Sequence, residues 1–454
     1  MDPATYVDPS LTRQDLLVLK SLLRDINEAK NPTAQPFLNG HGTTNRHTKS
    51  TIKPPPRTLD GPVADVPLNG SSAADEAAIR TLDALNDPTH RDFEPTVFFF
   101  WDLKDLKRFP LVHGYLIQPY IKVASKIVRV ETDIVMLTHL LLYFATSVPS
   151  AIYLYYNYHW LHGVVHWLMQ AYYAATYTLM MHQHIHMNGV LAKKYGWFDA
   201  LFPYITNPLM GHTWNSYYYH HVKHHHVEGN GPEDLSSTIY YQRDELFDFL
   251  CYVTRFFFLI WLELPLYFVR KGKLALGAKA AFWEVANYIF LYLLTRLHWR
   301  ATLFVFLLPF LQLRIALMIG NWGQHAFVDE ADPTSDFRSS ITLIDVASNR
   351  HCYNDGYHTS HHLNPRRHWR DHPAAFLKQK ARYGAEHALV FRNIDYFMIT
   401  VKLLQKDYMH LAKCLVPLGD QMELNFDQIA NMLRTKTRRF TQAEIRKKFG
   451  PQDN

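Results

Sequence analysis

Long apolar runs alternate with knots of histidine in this chain, and that alternation most limits what it can fold into. Residues 132–156 and 161–181 each come near the roughly 20 apolar residues that a bilayer core requires, and the runs 249–269, 280–297 and 301–320 follow. Between them stands a polar, metal-binding residue type in unusual density. Residues 181–189 read MHQHIHMNG, residues 220–226 hold five histidines, and residues 357–365 read YHTSHHLNP. Histidines gathered at the ends of candidate spans predict a membrane metalloprotein.

The three groups can share one site only if they emerge on one side of the membrane. The run 197–210 is short and contains Pro203 and Pro208, so it is expected to lie in the interface and keep the second group beside the first. If all three later runs crossed, the third group would emerge on the opposite side. The one set aside is 249–269, which carries Arg255, Glu263 and Pro265 and exits into Arg270, Lys271 and Lys273. The other two form a hairpin turning at His298, Trp299 and Arg300, which leaves Arg296 and Arg300 on the lumenal side against the positive-inside trend. The expected fold is all-α: an integral membrane protein of about four transmembrane helices, with a cytosolic helical cap carrying the metal site.

Mean hydropathy, −0.19, averages a polar first hundred residues with this apolar centre. Residues 1–92 read as polar and largely disordered. An amphipathic helix is expected over 10–30 and a short one over 73–85, around a Pro-, Gly- and Asn-rich stretch, 31–72, that buries too little to offset chain entropy. Residues 93–131 interleave Phe98, Phe99, Phe100 and Trp101 with Lys104, Lys107 and Arg108, which suits a segment lying in the headgroup region and an ordinary cytosolic helix pair alike. Residues 132–373 form the membrane domain. Residues 374–454 are a cytosolic helical region, with helices around 374–389 and 395–415. The net charge of +6 collects outside the apolar runs, which suits an anionic cytosolic leaflet and forms no nucleic-acid stripe. Cys251, Cys352 and Cys414 stand in no CxxC pair, which excludes a disulfide framework and a thiolate metal site. The opening MDPATYVDPS has neither a basic nor an apolar leader region, so membrane entry is expected through an internal segment.

Positions four apart on a helix share a face, so His182 with His186, and His221 with His225, should each present two imidazoles to one point. His358, His361 and His362 should do the same. In the second group His221-x-x-His224-His225 and His221-x-x-x-His225-His226 both fit, and the second is preferred. A lone pair of this kind is more often packed histidine than ligand. Three groups on one membrane face reverse that reading, because imidazoles desolvated together without a cation are costly. Imidazole suits Fe, Zn, Cu and Ni alike. Asn321 and His325 share a face at the end of the last run. Asp234, in the loop after the second group, is placed to orient an imidazole, although a solvated acidic loop is the commoner outcome. His184 points away from its neighbours, and His212, His220 and His224 stand as supporting residues, His224 the first to be promoted to ligand. Tyr153, Trp160, Trp167 and Tyr177 suit an acyl tunnel or an interfacial belt equally.

The order HxxxH, HxxxHH, NxxxH, HxxHH resembles the membrane fatty-acid desaturase family. The HHLNP that closes it is similar to that family's HHLxP and unlike its alkane-hydroxylase relatives. The resemblance covers about 133–373. It implies that His182, His186, His221, His225, His226, His325, His358, His361 and His362 ligate two iron ions, with Asn321 acting through a water. It also implies O2 as co-substrate, an acyl chain of a fatty acid or lipid as substrate, and residence in the endoplasmic reticulum. A lipid hydroxylase or ketolase on the same scaffold is the near rival. A histidine-rich protein that carries zinc is the distant one, and transporters place such ligands within spans rather than at their ends. No HPGG haem motif and no flavin or nicotinamide fingerprint is present, so electrons are expected from cytochrome b5 and its reductase. Arg366, Arg367, Arg370, Lys378, Lys380 and Arg382 are expected to form a positive patch that either steers the carrier in or holds the helix against anionic lipid.

Overall fold

The computed structural model describes residues 2–31 and 72–450. The stretch read as disordered, 31–72, lies outside the described residues apart from its two ends.

Helix α1 (Arg13–Lys30) and helix α2 (Ala73–Asn86) begin on Thr12 and Ser72, whose hydroxyls accept from the backbone N–H of Asp15 and Asp75. The apolar stripe of α1 is covered. Val18, Leu19 and Leu22 pack with Leu82 of α2 against Ile344, Tyr357 and Phe376, so the two ends of the chain share one core. After α2, residues 97–124 bury Val97, Phe99 and Ala124 while exposing Trp101, Phe109, Leu111 and Tyr115, an outward apolar face of the kind headgroups cover.

Helices α3 (Ile134–Tyr156) and α4 (Trp160–Met187) form an antiparallel pair. Ser147 meets Gln170 at 3.1 Å and Ser150 meets His162 at 2.8 Å, pairs placed about the turn at Tyr158. Helix α5 (Gly196–Leu209) has 14 residues, too short to cross a bilayer core at about 1.5 Å per residue. Helices α6 (Leu246–Arg270), α7 (Leu274–Thr302) and α8 (Leu308–Gln324) follow.

Among the described residues, three helical stretches are long and apolar enough to cross a membrane: Glu131–Tyr156, Leu246–Arg270 and Leu274–Gln324. Helix α4 is not among them. Gln170 and its histidines dilute its apolar character. The 51 residues of the last stretch would run about 75 Å as one straight helix. The helix breaks instead at His298, where φ is −155° and ψ is 86°. Beyond the break the chain doubles back: Phe290 meets Phe306 at 5.5 Å, Tyr288 meets Phe310 at 6.2 Å, and Glu284 pairs with Arg314. The hairpin therefore turns where expected. The turn between α3 and α4 sits beside it, with Tyr155 and Tyr158 at 6.0 and 5.5 Å from His298 and Trp160 at 6.3 Å from Trp299.

Helix α6, set aside as a span on sequence, is long and apolar enough to be one. Its contacts describe a different course. Tyr252 near its start lies 3.4 Å from the Ser236 carbonyl, and Tyr267 near its end donates to Glu228 at 2.5 Å. A helix that meets residues 228–236 near both of its ends lies along that loop rather than rising from it.

The C-terminal half is not purely helical. Strand β1 (Ile341–Ile344) precedes helices α9 (His358–Leu363) and α10 (His372–Lys378), and strand β2 (Leu389–Arg392) pairs parallel with β1, Ile341 opposite Leu389. The helix expected over 374–389 is instead two short helices, His372–Lys378 and Lys380–Ala385, broken at Gln379, and Leu389 already belongs to β2. Helices α11 (Tyr396–Leu404) and α12 (Gln442–Phe449) follow, and α12 sets Ile445 against Ile239 and Val328.

Of the six cations expected to form a surface patch, only Arg366 is exposed. Arg370 is buried and donates to Asn86 Oδ1 and Thr96 Oγ1, both at 2.8 Å, and to the Leu85 carbonyl at 3.3 Å. Arg367 donates to the Ser360 carbonyl at 2.9 Å, and Lys380 pairs with Asp75 at 2.6 Å. Lys378 meets Asp83 at 3.4 Å, and Arg382 stands 4.9 Å over the Phe337 ring. Arg370, Lys378 and Lys380 thus pin α2 and the loop after it to the segment that follows the third histidine group, while Arg367 and Arg382 are taken up by Ser360 and Phe337. Replacing Arg370 by Ala should lower stability by roughly 2–4 kcal/mol, because one buried and two half-buried acceptors lose their donor. Thermal unfolding in detergent measures it, and an unchanged midpoint would mean that the N-terminal helices dock without this residue.

Candidate metal centre

The nine histidines singled out on sequence come together, in two clusters. His182 and His186 from the end of α4, His221 and His226 from the second group, and His361 from α9 form the first. His225, His325, His358 and His362 form the second. In the first, His182 Nε2 lies 2.8 Å from that of His221 and 3.0 Å from that of His361, and His226 Nε2 lies 3.1 and 2.9 Å from the same two. In the second, His358 Nε2 lies 3.2 Å from that of His325 and 3.0 Å from that of His362.

The division corrects the helical-face expectation. His182 and His186 do share a cluster, one α-turn apart. His221 and His225 do not, because His221–His225 is a π-helical turn in which the His226 N–H reaches the His221 carbonyl. That wider turn aligns His221 with His226 and swings His225 to the second cluster. In α9, His358 and His362 share the second cluster while His361 alone faces the first. His224 joins neither. Its Nε2 lies 3.1 Å from the Glu233 carbonyl and 3.3 Å from the Leu235 N–H.

His224 stands in a third group with His220 and Asp234. There the carboxylate is already taken up. Asp234 Oδ2 accepts from His225 Nδ1 at 2.7 Å and from the Asn230 N–H at 3.2 Å, and Oδ1 accepts from the Ser236 N–H and hydroxyl at 2.8 and 2.7 Å. Its roughly four acceptor sites are filled, leaving none for a cation. Burial alone would raise the Asp234 pKa, but the His225 and His224 rings beside it outweigh that and hold it well below the usual carboxylate range. Asp234 is therefore a clamp on His225, as its loop position allowed. His325 is clamped likewise: Nδ1–H donates to the Ser339 carbonyl at 2.7 Å, a partner with no sequence signal. Each clamp fixes a tautomer and turns Nε2 toward the second cluster.

Burial holds His221, His226, His358, His361 and His362 well below the ordinary histidine range and pulls His325 down to about 3, so these rings are neutral at pH 7. Neutral imidazoles at such distances oppose lone pairs unless a proton or cation lies between them. Shared protons satisfy pairs, but the buried Nε2 of His186 has no hydrogen-bond partner at all. An all-imidazole donor set with an orphaned nitrogen fits a metal of the Fe, Zn, Cu or Ni kind in each cluster.

Asn321, one turn before His325, donates from Nδ2 to the Ser236 carbonyl at 2.9 Å and to Tyr252 Oη at 2.7 Å. A carbonyl only accepts, so the amide orientation is fixed. His184 lies 3.0 Å from the Asp199 carbonyl, away from the clusters, and His212 lies 3.0 Å from Thr178 Oγ1. A cavity of about 670 Å³ reaches His182, His221, His225, His358 and Asn321. Its wall on α4 is made by Ala171, Ala174, Ala175, Thr178 and Leu179, and Tyr153, Trp160, Trp167 and Tyr177 do not line it.

Bilayer-length apolar helices with paired imidazole clusters at one end define a membrane protein built around a histidine-lined centre. The chain belongs to the fatty acid desaturase family, whose model matches residues 158–392, just over half of its 454 residues. The match begins at the turn before α4 and ends with β2, somewhat C-terminal to the resemblance read over 133–373, and it takes in all nine histidines. No curated protein and no solved structure matches the chain. Membership makes this an oxidoreductase of fatty-acid modification, with a lipid substrate, in a family that generally uses iron.

Substituting Asp234 by Asn keeps the shape and, with Oδ1 retained, the two Ser236 hydrogen bonds, but an Nδ2 in place of Oδ2 accepts neither from the Asn230 N–H nor from His225 Nδ1–H, so the clamp on His225 is lost. Metal affinity should fall about 10- to 100-fold, read as metal retained against a competing chelator at unchanged helix content. Undiminished retention would remove Asp234 from the centre's support.

Proposed function

We propose that the protein is an O2-dependent di-iron desaturase that introduces a double bond into the acyl chain of a fatty acid or lipid. One observation carries this reading: nine imidazoles divide between two adjacent clusters beside a largely apolar cavity. His182, His186, His221, His226 and His361 would hold one iron, and His225, His325, His358 and His362 the other, with Asn321 beside them. When bound, the irons supply the oxidant, made from O2 and two external electrons, that removes two hydrogens from adjacent methylenes. The chain's own residues do the rest. The cavity holds the acyl chain against the clusters, Asp234 and the Ser339 carbonyl fix two rings, and burial excludes water.

Four membrane crossings follow from the two hairpins: α3, α4, and the two arms on either side of His298. The contacts of α6 along the loop 228–236 support an interfacial helix, and the histidines then face the cytosol, in the endoplasmic reticulum. Electrons come from cytochrome b5 and its reductase. Arg367 and Arg370 hold the fold, so of the expected patch Arg366 alone faces outward to meet an acidic carrier.

Expression in a host of defined lipids, with products read by mass spectrometry, should give acyl chains lighter by two hydrogens. Chains heavier by one oxygen would make the protein a hydroxylase instead. The purified protein should carry about two irons per chain, and zinc at full occupancy without iron would overturn the metal assignment.

Single cysteines at Lys194 and Arg366, in a chain cleared of its native three, should label from the cytosolic side and one at Asn157 from the lumenal side. Labelling of Lys194 and Arg366 from opposite sides would overturn the four-span topology.

A further inference from the structure

Cations of the C-terminal region are largely answered within the protein. Lys402 meets Asp407 at 2.9 Å, Arg438 meets Glu330 at 2.5 Å and Glu444 at 2.7 Å, and Arg439 pairs with Asp248. Residues 103–130 differ. They hold six cations, Lys104, Lys107, Arg108, Lys122, Lys126 and Arg129, all exposed, against one carboxylate, Asp105. That carboxylate accepts from the Asp102 N–H at 3.2 Å, and Lys104 meets Asp102 at 3.5 Å. Among the described residues, the side chains of Lys107, Lys122 and Lys126 make no ion pair and no hydrogen bond. The positive charge of this stretch is therefore left for something outside the chain.

The same stretch turns apolar side chains outward. Leu111 is 73% and Tyr115 83% exposed, and Phe109, Leu116 and Val123 are exposed with them. Its inner face fixes the depth at which they lie. Ala124 and Val128 pack with Ile134 and Leu137 of α3, and Tyr120 Oη meets Thr138 Oγ1 at 2.8 Å. The stretch thus leans on the first turns of a helix long and apolar enough to cross the membrane, the level at which head groups begin. The Arg129 N–H donates to the Val190 carbonyl at 2.9 Å and the Ala192 N–H to the Ile127 carbonyl at 2.8 Å, which brings the exposed Lys193 and Lys194 to the same rim. An acidic protein would answer the cations but leave Leu111 and Tyr115 uncovered at the membrane boundary. Zwitterionic lipid would cover those side chains but bring no net negative charge. A phospholipid with net negative charge does both.

We propose that residues 103–126, with Lys193 and Lys194, form an in-plane anchor selective for anionic phospholipid. Its apolar side chains lie among the upper acyl carbons, and its cations lie on the phosphate and carboxylate groups of lipids such as phosphatidylserine.

The full-length protein, reconstituted in phosphatidylcholine bilayers, would be given traces of spin-labelled phosphatidylserine or phosphatidylcholine. Electron paramagnetic resonance then reads the fraction of each lipid held immobile against the protein. Phosphatidylserine should be held about threefold more strongly, an average over sites at which one nearby cation is worth about fivefold. The ratio should fall toward one in about 1 M salt, where charges are screened within about 3 Å. Replacing Lys107, Arg108, Lys122 and Lys126 together by Gln leaves the packed inner face intact and should bring the ratio close to one at unchanged helix content. No excess of phosphatidylserine on the unaltered protein, or the same excess on the variant, overturns the proposal. A nitroxide on Tyr115→Cys, in a chain cleared of its native three cysteines, should be relaxed more by O2, which partitions into the bilayer, than by a water-soluble nickel chelate. The reverse order places the stretch in water and overturns the lipid assignment. Neither readout involves turnover, so the desaturase reading stands or falls separately.

Discussion

Imidazoles withdrawn from water and turned to face one another are stable only with positive charge between them, and much of the surrounding structure serves to keep them so turned. The end of α4, a π-helical turn, the residue that closes α8 and the short helix α9 each deliver rings to the same place. None of these segments is a neighbour of the next in sequence. What aims the rings is ordinary hydrogen bonding one layer out, from a carboxylate whose acceptor sites are all in use and from a backbone carbonyl after α8. A structure of this sort is poorly stable when empty and rigid when charged, because the same burial that suppresses ring protonation also strips away the water that would otherwise separate the nitrogens.

Much of this was legible in the sequence, and the failures have physical causes. Spacing identified the nine histidines, since grouping at span ends survives any detail of local winding. Their division did not, because a rule of four residues per face assumes α geometry and His221–His225 is wound more loosely. The charge run after the third group misled in a different way. A count of lysines and arginines treats each as solvated, but the partners of Arg370 and Lys380, Asn86 and Asp75, lie some three hundred positions earlier, and nothing local announces them. Strands β1 and β2 were missed because four-residue apolar runs do not distinguish a strand from a loop. Composition called α6 a span and parity set it aside. Only its contacts with Ser236 and Glu228 give it a direction.

The far ends of the hairpins explain a feature that counted against the topology. In the proposed four-span topology Arg300 would be lumenal, where arginines are disfavoured, yet it lies 5.7 Å over the Trp160 ring and 5.4 Å over that of Trp299. An arginine held against two indoles at the membrane boundary acts as an anchor there, and its charge is met by ring faces in place of anionic lipid.

The core shared by α1 and the segment around Tyr357 and Phe376 also sets an order of events during synthesis. Helix α1 precedes the long apolar helices in the chain, yet the surface that receives it is made only after them. Until then its apolar stripe has no place in the finished fold and must be sheltered by something else. A chain halted before residue 358 would hold four rings of the first cluster but only His225 and His325 of the second. The two halves of the centre therefore mature unequally on the ribosome, and α1, translated ahead of the long apolar helices, settles only after them.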